Sequence, residues 1–238
     1  MVRVDFVTLF PDMVLGAARH SMLRRAEEHG AVAFGAINPR TFTTDVHGTV
    51  DDKPYGGGPG MLMMGEPILA ALQALEPGPH TAVVMTDPTG EPFDQKAAIE
   101  LATRDHVVFV CGHYEGVDDR VRTEVCTHAY SLGDFVLTGG ELPALVMADA
   151  LVRLLPGVLG SQESLEADSH AGGLLSAPQY TRPETLLGEA VPEVLRSGNH
   201  EAVARWRRRQ ALVATRERRP DLFCRAKLTK RDLDLLQS

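Results

Sequence analysis

The stretch HVVFVCGHYEGVDDRV, residues 106–121, joins a short apolar run to a glycine-rich loop. Similar apolar runs occupy residues 2–9, 31–37 and 81–86, and amphipathic stretches separate them. This alternation is typical of an α/β domain with a largely parallel sheet. We therefore predict strands over 2–9, 31–37, 81–86 and 106–110.

The intervening stretches predict helices over 12–28, 66–75, 94–102 and 118–125, with Asp94 as an N-cap. A longer helix is expected over 140–154, ended by Pro156 and Gly157. Residues 157–183 are rich in Gly, Ser, Ala and Pro and indicate a linker or mobile loop. Beyond it we predict one helix over 199–219, stopped by Pro220, and a short last helix opened by Thr229-x-x-Asp232.

The composition excludes several classes of protein. The 238 residues are 44% hydrophobic and carry a net charge of −8, as in ordinary soluble globular proteins rather than disordered, fibrous or membrane ones. No apolar run approaches the ~20 residues needed to span a bilayer, and Pro11 interrupts the start, where a signal peptide would be apolar. Three cysteines without a CxxC pair suit a reducing compartment. We expect a cytoplasmic protein.

The net charge hides an uneven distribution along the chain. Residues 1–160 contain 11 basic and 21 acidic side chains, whereas residues 196–231 contain 12 basic and 3 acidic ones. On the helix predicted over 199–219, one arc of about 100° carries Arg205, Arg208, Arg209, Arg216 and Arg219, and the adjacent arc carries Val203, Trp206 and Val213. The apolar arc can pack against the protein while the arginine arc binds phosphates. The alternative is that the arginine arc is simply a solvated charged face.

The segment VDDKPYGGGPGMLMM, residues 50–64, is the most glycine-rich part of the chain. Its glycines let the backbone approach a ligand closely. It is neither a Walker loop, because no GK[ST] follows, nor a Rossmann fingerprint, because Pro59 breaks the GxGxxG pattern. The alternative is that this loop is simply a turn.

Glycine-rich loops also follow predicted strands at 110–121 and 131–145, and Thr86-Asp87-Pro88-Thr89-Gly90 follows a third. Open α/β sheets bind ligands at the carboxyl ends of their strands, so the three loops could form one pocket. Cys111-x-His113 with Cys126-x-His128 suggests a metal site, but the spacing is wrong for a zinc knuckle, and we predict no metal there.

Two residues are candidates for acid–base chemistry, Arg153 near the end of the long helix and Asp168 in the Gly/Ser-rich segment. Each has a purely structural alternative. Arg153 could pair with Asp149 one helical turn away, and Asp168 could cap a turn.

These segments together give the chain a resemblance over nearly its whole length to the bacterial tRNA (guanine-N1)-methyltransferases, the TrmD family of the SPOUT class. The motifs that carry it are TLFPDM, PYGGGPGMLMM, VCGHYEGVDDRV, SLGDFVLTGGELPA, LPGVLG, DSHAGGLLSAPQYTRPE and SGNHEAVARWRRRQAL. The resemblance implies an α/β fold, a mostly parallel sheet with a deep trefoil knot, and a small C-terminal helical domain. It further implies a homodimer with active sites at the interface, S-adenosyl-L-methionine as methyl donor, and tRNA methylated at N1 of guanosine 37.

The same resemblance divides the chain into a knotted donor-binding domain (1–160), a mobile linker carrying Asp168 (161–180) that orders on tRNA binding, and a basic tRNA-binding domain (181–238). Asp168 would be the general base, Arg153 would face the guanine O6, and Glu115 would assist beside them. The residues implied to hold the donor are Pro88, Gly112, Leu132, Gly133, Asp134, Phe135, Val136, Leu137, Gly139 and Gly140.

Asp51, Tyr55, Gly56, Gly57 and Gly58 are implied to contact the tRNA or close the site, and Arg205, Arg208 and Arg209 to bind tRNA. Ser176 stands where many relatives have an acidic residue, so the resemblance leaves a Mg²⁺ requirement open. Phe135 replaces a Tyr of some relatives with little expected consequence. There are two competing interpretations: another knotted RNA methyltransferase with a different target atom, and a non-catalytic tRNA-binding protein of the same fold.

Overall fold

The computed structural model describes residues 1–160, 168–170 and 172–237. The chain divides into two compact units, Met1–Gly160 and Ser161–Ser238. Residues 161–167 and 171 of the predicted linker lie outside the described residues.

The strands of the first unit are β1 (Val2–Val7), β2 (Val32–Ile37), β3 (Asp51–Asp52), β4 (Leu62–Met63), β5 (Thr81–Pro92), β6 (His106–Cys111) and β7 (His128–Ser131). Five of them form one parallel sheet in the order β2-β1-β6-β5-β7, and β3 pairs with β4 as a separate antiparallel ribbon. The predicted parallel α/β architecture is therefore confirmed for this sheet. β7 was not predicted because its four residues, HAYS, are too few and too polar to stand out as an apolar run.

The helices of the first unit are α1 (Pro11–Ala18), α2 (Ser21–Glu28), α3 (Gly65–Ala74), α4 (Gln95–Leu101), α5 (Asp119–Glu124) and α6 (Glu141–Val152), and a 3₁₀ turn covers Pro39–Phe42. The single helix predicted over 12–28 is wrong, because the chain breaks between α1 and α2. His20 is extended there and Ser21 has a φ of 50°. The predicted cap is confirmed: the Asp94 side chain accepts hydrogen bonds from the backbone N–H groups of Lys96 and Ala97.

Helices cover both faces of the sheet, and β6 illustrates why. Its side chains are all buried and alternate between two apolar cores, since successive residues of a strand point to opposite faces. Val107 and Phe109 pack in the core that includes residues of α1, α2, α4 and α6. Val108 and Val110 pack on the other side, with residues of α3. A strand buried on both faces is an unbroken apolar run, which is why β6 was predictable.

The second unit contains β8 (Thr185–Leu186), β9 (Glu189–Ala190), α7 (Glu193–Arg196), α8 (His200–Arg218), α9 (Pro220–Arg225) and α10 (Lys230–Gln237). Its described apolar core centres on Leu174, Leu212 and Leu235. Pro220 does more than stop α8, because it also occupies the first position of α9, where a missing N–H costs nothing. In the described part of the chain, no helix combines the length and apolar character needed to cross a membrane.

Candidate active site

A cavity of about 350 Å³ lies where the three neighbouring strands β6, β5 and β7 present their loops. Its volume is within the usual range for small-molecule sites, and its position follows the general rule for open α/β sheets. The lining consists of residues 85–89, 112–117, 130–133, 135–140 and 143.

The cavity brings together most of the side chains predicted to hold a donor. Every residue in that predicted set lines it except Asp134. The glycine-rich segments were the signal that located these loops. Apart from Glu115, the other lining residues of segments 86–90, 110–121 and 131–145 were predicted only as parts of those loops, without a role of their own. Met85 and Tyr130 line the cavity just outside the predicted loops, within β5 and β7.

A local irregularity in β5 shapes one wall. The pairing between β5 and β7 shifts register between Thr86 and Glu91, so residues 87–90 leave the ladder. The Asp87 carboxylate stabilises this excursion by accepting hydrogen bonds from the backbone N–H of Thr89 at 2.7 Å and from its hydroxyl at 2.6 Å. Such bulges re-aim side chains next to binding sites, and here Asp87, Pro88 and Thr89 reach the cavity.

Gly140 joins two of the pocket loops at close range. Its N–H donates to the Gly112 carbonyl at 2.8 Å, and the Thr86 hydroxyl lies 3.2 Å from the Gly140 carbonyl oxygen. A Cβ at position 140 would lie 2.1 Å from Thr86 Oγ1 and 2.9 Å from both Cys111 Cα and Gly112 N. The loops can therefore meet only because residue 140 has no side chain.

A buried carboxylate next to this contact was not predicted. Glu141 is 3% exposed at the first position of α6, where the helix N-terminus favours negative charge. Its Oε1 accepts a hydrogen bond from the Thr8 hydroxyl at 2.7 Å, and its Oε2 lies 3.8 Å from Nδ1 of His113. That buried Nδ1 makes no hydrogen bond within the described residues. Glu141 and Thr8 thus anchor the start of α6 to the end of β1, directly behind the cavity wall.

The glycine-rich segment predicted to contact tRNA lies beside Glu115, a cavity residue. The Glu115 N–H donates to the Met61 carbonyl at 3.0 Å, and the Met63 N–H donates to the Gly116 carbonyl at 2.9 Å. Gly60 touches the Glu115 side chain so closely that a Cβ there would lie 2.4 Å from Glu115 Cγ. The loop is therefore docked against one wall of the cavity.

The run Gly56, Gly57 and Gly58 is a structural necessity for this loop. All three have positive φ values, of 86°, 76° and 131°, which side chains disfavour. Tyr55 next to them is fully exposed, and Asp51 lies in β3, paired with Met63. The loop presents backbone groups and one aromatic ring to the surroundings.

The two residues predicted for acid–base chemistry lie in different units. Arg153 is the C-cap residue of α6, and its N–H donates to the Asp149 carbonyl at 3.1 Å. Asp168 is a half-buried residue of the second unit. Near it in sequence, the Ser169 and Ser176 hydroxyl oxygens lie 2.9 Å apart. Their roles in chemistry stay predictions.

The arginines predicted to bind tRNA have partners inside the second unit. Arg208 donates two hydrogen bonds to the Asp232 carboxylate, at 2.7 and 3.0 Å. Arg209 donates through Nε to the Leu235 carbonyl at 3.2 Å, and Arg205 pairs with Glu201 at 3.1 Å. Arg208 and Arg209 thus fasten α10 to α8, a structural task that helical spacing could not reveal.

The thiols of the two Cys-x-His pairs lie in apolar surroundings. Burial raises the pKa of the Cys126 thiol to about 12, and burial raises the pKa of Cys111 well above its usual range. Both thiols therefore stay protonated near neutral pH, unlike metal ligands. Over residues 1–160, 168–170 and 172–237, no three His, Cys, Asp or Glu side chains cluster as metal ligands would.

Comparison with known proteins places these features in a family. Residues 2–225 match the family described as tRNA (Guanine-1)-methyltransferase TrmD. The chain is 51% identical to a tRNA (guanine-N(1)-)-methyltransferase of Moorella thermoacetica, a match covering 99% of this chain and 96% of that protein. It is 47% identical to the enzyme of the same name from Staphylococcus aureus (strain JH9), again covering 99% and 96%. Similarity of this extent and identity means that the chain belongs to the tRNA (guanine-1)-methyltransferase family TrmD.

Proposed function

We propose that this protein transfers a methyl group from S-adenosyl-L-methionine to N1 of guanosine 37 in tRNA. The observation that carries the proposal is the family match over residues 2–225. The cavity at the ends of β5, β6 and β7 supports it, because it provides one pocket formed by the loops of the family motifs. A cytoplasmic location, where tRNA is modified, belongs to the same proposal.

The cavity lining fits a methyl donor of this kind. Glycines at 112, 133, 139 and 140 bring backbone rather than side chains to the cavity wall, so a planar adenine can approach the loops closely without meeting charged side chains. Leu132, Phe135, Val136 and Leu137 supply apolar surface for the ring. The deep trefoil knot implied by the resemblance is part of this proposal, with the loop over 131–140 as one of its donor-holding segments.

When bound, the donor supplies an electrophilic methyl group on a sulfonium. The guanine N1 is a poor nucleophile until its proton leaves, so the proposed role of the Asp168 carboxylate is to take that proton. As the proton leaves, negative charge spreads onto O6, where the Arg153 guanidinium stabilises it. The N1 lone pair then forms the new C–N bond while the C–S bond breaks, and the electron pair stays on sulfur. Glu115 lies in the cavity wall, and its proposed role is to assist beside the donor and the target base.

No step is assigned to Mg²⁺. The Ser176 hydroxyl, 2.9 Å from that of Ser169, is a neutral oxygen at a position where many relatives have a carboxylate, the ligand that Mg²⁺ prefers. The proposed chemistry needs only the base, the guanidinium and the donor.

An assay with unmodified tRNA transcripts and labelled donor tests the function. We expect label at N1 of guanosine 37 and none in a transcript with adenosine at that position. Label on a ribose 2′-hydroxyl would favour another knotted methyltransferase, and no label at all would favour a non-catalytic tRNA-binding protein.

The roles of the acid–base pair are tested in the same assay. Asp168→Asn should lower turnover by roughly 100- to 10,000-fold, since a general base is lost. Asp234→Asn is a matched control, because this carboxylate is exposed in the same unit. Full turnover by Asp168→Asn would refute the proposed base.

A homodimer is the second part of the proposal, and an apolar face on α6 supports it. Leu142 and Val146 lie one turn apart and are 50% and 51% exposed, and Met13 on the adjoining α1 is 44% exposed. Such side chains are normally covered in a partner interface. Val146→Glu should convert a wild-type dimer to monomers in sedimentation experiments, whereas Ile99→Glu, equally exposed on α4, should not. A monomeric wild-type protein would contradict the proposal.

A further inference from the structure

An aromatic pair lies on the surface of the second unit. Trp206, the one tryptophan of the chain, is half-buried on α8. Its ring centroid lies 6.3 Å from that of Tyr180, and the two planes meet at 54°. Tyr180 is 51% exposed. Neither ring belongs to the described apolar core around Leu212, so the fold does not use the pair as its central packing.

Positive charge surrounds this pair along the chain. Arg205 and Arg207 flank Trp206 in α8, within a stretch of 12 basic and 3 acidic residues. Arg207 is exposed, and the described residues offer it no partner. Arg205 pairs with an exposed carboxylate, that of Glu201. An exposed ion pair of this kind is weak and easily exchanged for another anion.

The orientation of the rings favours a planar ligand. Two rings that meet at 54° do not cover each other face to face, and half of the Tyr180 side chain is exposed to a planar ligand. Nucleobases stack on aromatic side chains in proteins that bind single-stranded nucleic acid, next to cations that follow the phosphates. Paired bases in a stem keep their faces covered, so a site of this kind selects an unpaired nucleotide.

We propose that Trp206 and Tyr180 form a stacking site for an unpaired nucleobase of the RNA substrate, and that exposed arginines of the same helix, Arg207 among them, bind its phosphates. The inference rests on the proposed function for the identity of the RNA as tRNA. It assigns affinity to a different part of the second unit from Arg208 and Arg209, which hold α10.

The single tryptophan makes the stacking directly measurable. Titration of the full-length protein with the unmodified tRNA transcript should quench the emission of Trp206, because stacking on a base quenches indole fluorescence. A fully paired RNA duplex of equal charge should bind without this quenching. Unchanged emission at a transcript concentration that saturates filter binding would overturn the proposal.

Substitutions separate stacking from electrostatics. Trp206→Leu should raise the Kd for the transcript by roughly 5- to 100-fold, whereas Trp206→Phe, which keeps a ring, should raise it much less. The dependence of log Kd on log salt should keep its slope in Trp206→Leu, because stacking releases no counterions. Arg207→Ala should reduce that slope by roughly 0.7 to 1. Wild-type affinity in Trp206→Leu would refute the site.

Tyr180 provides an independent arm in case Trp206→Leu fails to fold. Tyr180→Ala should weaken transcript binding, and Tyr180→Phe should not, since the ring rather than the hydroxyl is required. Equal affinity of both variants with wild type would exclude Tyr180 from the site.

Methyl transfer at saturating transcript distinguishes this inference from the proposed function. If the wild-type protein forms no 1-methylguanosine, but tRNA quenches its fluorescence and the variants lose affinity, the stacking site is supported and the proposed function is refuted. If the wild-type protein forms 1-methylguanosine and Trp206→Leu keeps the wild-type Kd for the transcript, the proposed function is supported and the stacking site is refuted.

Discussion

At the scale of single residues, Gly140 controls how closely the pocket loops approach. Gly140→Ala would place a methyl group 2.1 Å from Thr86 Oγ1 and 2.9 Å from the backbone of Cys111 and Gly112. The backbone contacts cannot be relieved by a rotamer change. We expect the free energy of unfolding to fall by about 1–3 kcal/mol and donor affinity, measured by calorimetry, to fall with it.

Gly16 is the matched control for that change. It lies within α1, and a Cβ built there meets nothing within 4 Å. Gly16→Ala should raise the free energy of unfolding by roughly 0.5–1 kcal/mol, because alanine loses less backbone freedom in a helix. Equal donor affinity in Gly140→Ala and wild type would show that the loop contact does not shape the pocket.

At the scale of secondary-structure elements, the pairing of α8 with α10 depends on Arg208 and Asp232. Asp232 is 3% exposed, so Arg208→Ala leaves a buried carboxylate without its two charge-assisted hydrogen bonds. Arg208 itself is 44% exposed, so water reduces the loss to about 1–2 kcal/mol. Hydrogen exchange over residues 230–237 should quicken in Arg208→Ala and stay unchanged in Arg207→Ala, a neighbour without a partner among the described residues.

The same pair predicts acid sensitivity of the second unit. Hydrogen bonds from Arg208 hold the pKa of Asp232 well below its usual value of 3.8. A carboxyl with a lower pKa in the folded than in the unfolded state stabilises the fold above the unfolded pKa. That stability is lost as pH falls below about 3.8 toward the folded pKa. Asp232→Asn should therefore reduce the loss of unfolding free energy at acidic pH, followed by the circular dichroism of the helices. The same acid-induced loss in Asp232→Asn and wild type would show that Asp232 is not its cause.

At the scale of the whole molecule, the chain carries two parts of opposite charge. Residues 1–160 hold 21 acidic against 11 basic side chains, and the stretch 196–231 holds 12 basic against 3 acidic. A net charge of −8 therefore says little about affinity for RNA, because phosphates meet a local surface rather than an average.

Salt dependence of tRNA binding tests this division. Arg207 and Arg218 are exposed, lie on one face of α8, and have no partner among the described residues. The double change Arg207→Ala/Arg218→Ala should weaken tRNA binding and lower the salt slope by roughly 1.4 to 2, leaving donor affinity unchanged. Arg24→Ala, an exposed arginine of the acidic part, is the control. An equal slope change in the control would show that charge acts through the whole molecule.

The amino-acid sequence alone predicts the parallel sheet, most of its strands, the cap at Asp94, the family and the loops that line the cavity. It could do so because buried parallel strands are unbroken apolar runs and because glycine marks the places where backbones must meet. Local signals of this kind can be read directly from the amino-acid sequence.

Contacts between groups that are far apart in the chain follow from the three-dimensional fold and not from local sequence. Thr8 and Glu141 are 133 residues apart yet form a buried hydrogen bond behind the cavity. Arg208 and Arg209 have the helical spacing of a phosphate-binding face, and the structure adds that they bind Asp232 and the Leu235 carbonyl. Helical periodicity predicts which face of a helix a side chain occupies, but not which residues pack against that face. In the second unit the partner of Arg208 is the buried carboxylate of Asp232, because a buried carboxylate without a partner would be costly.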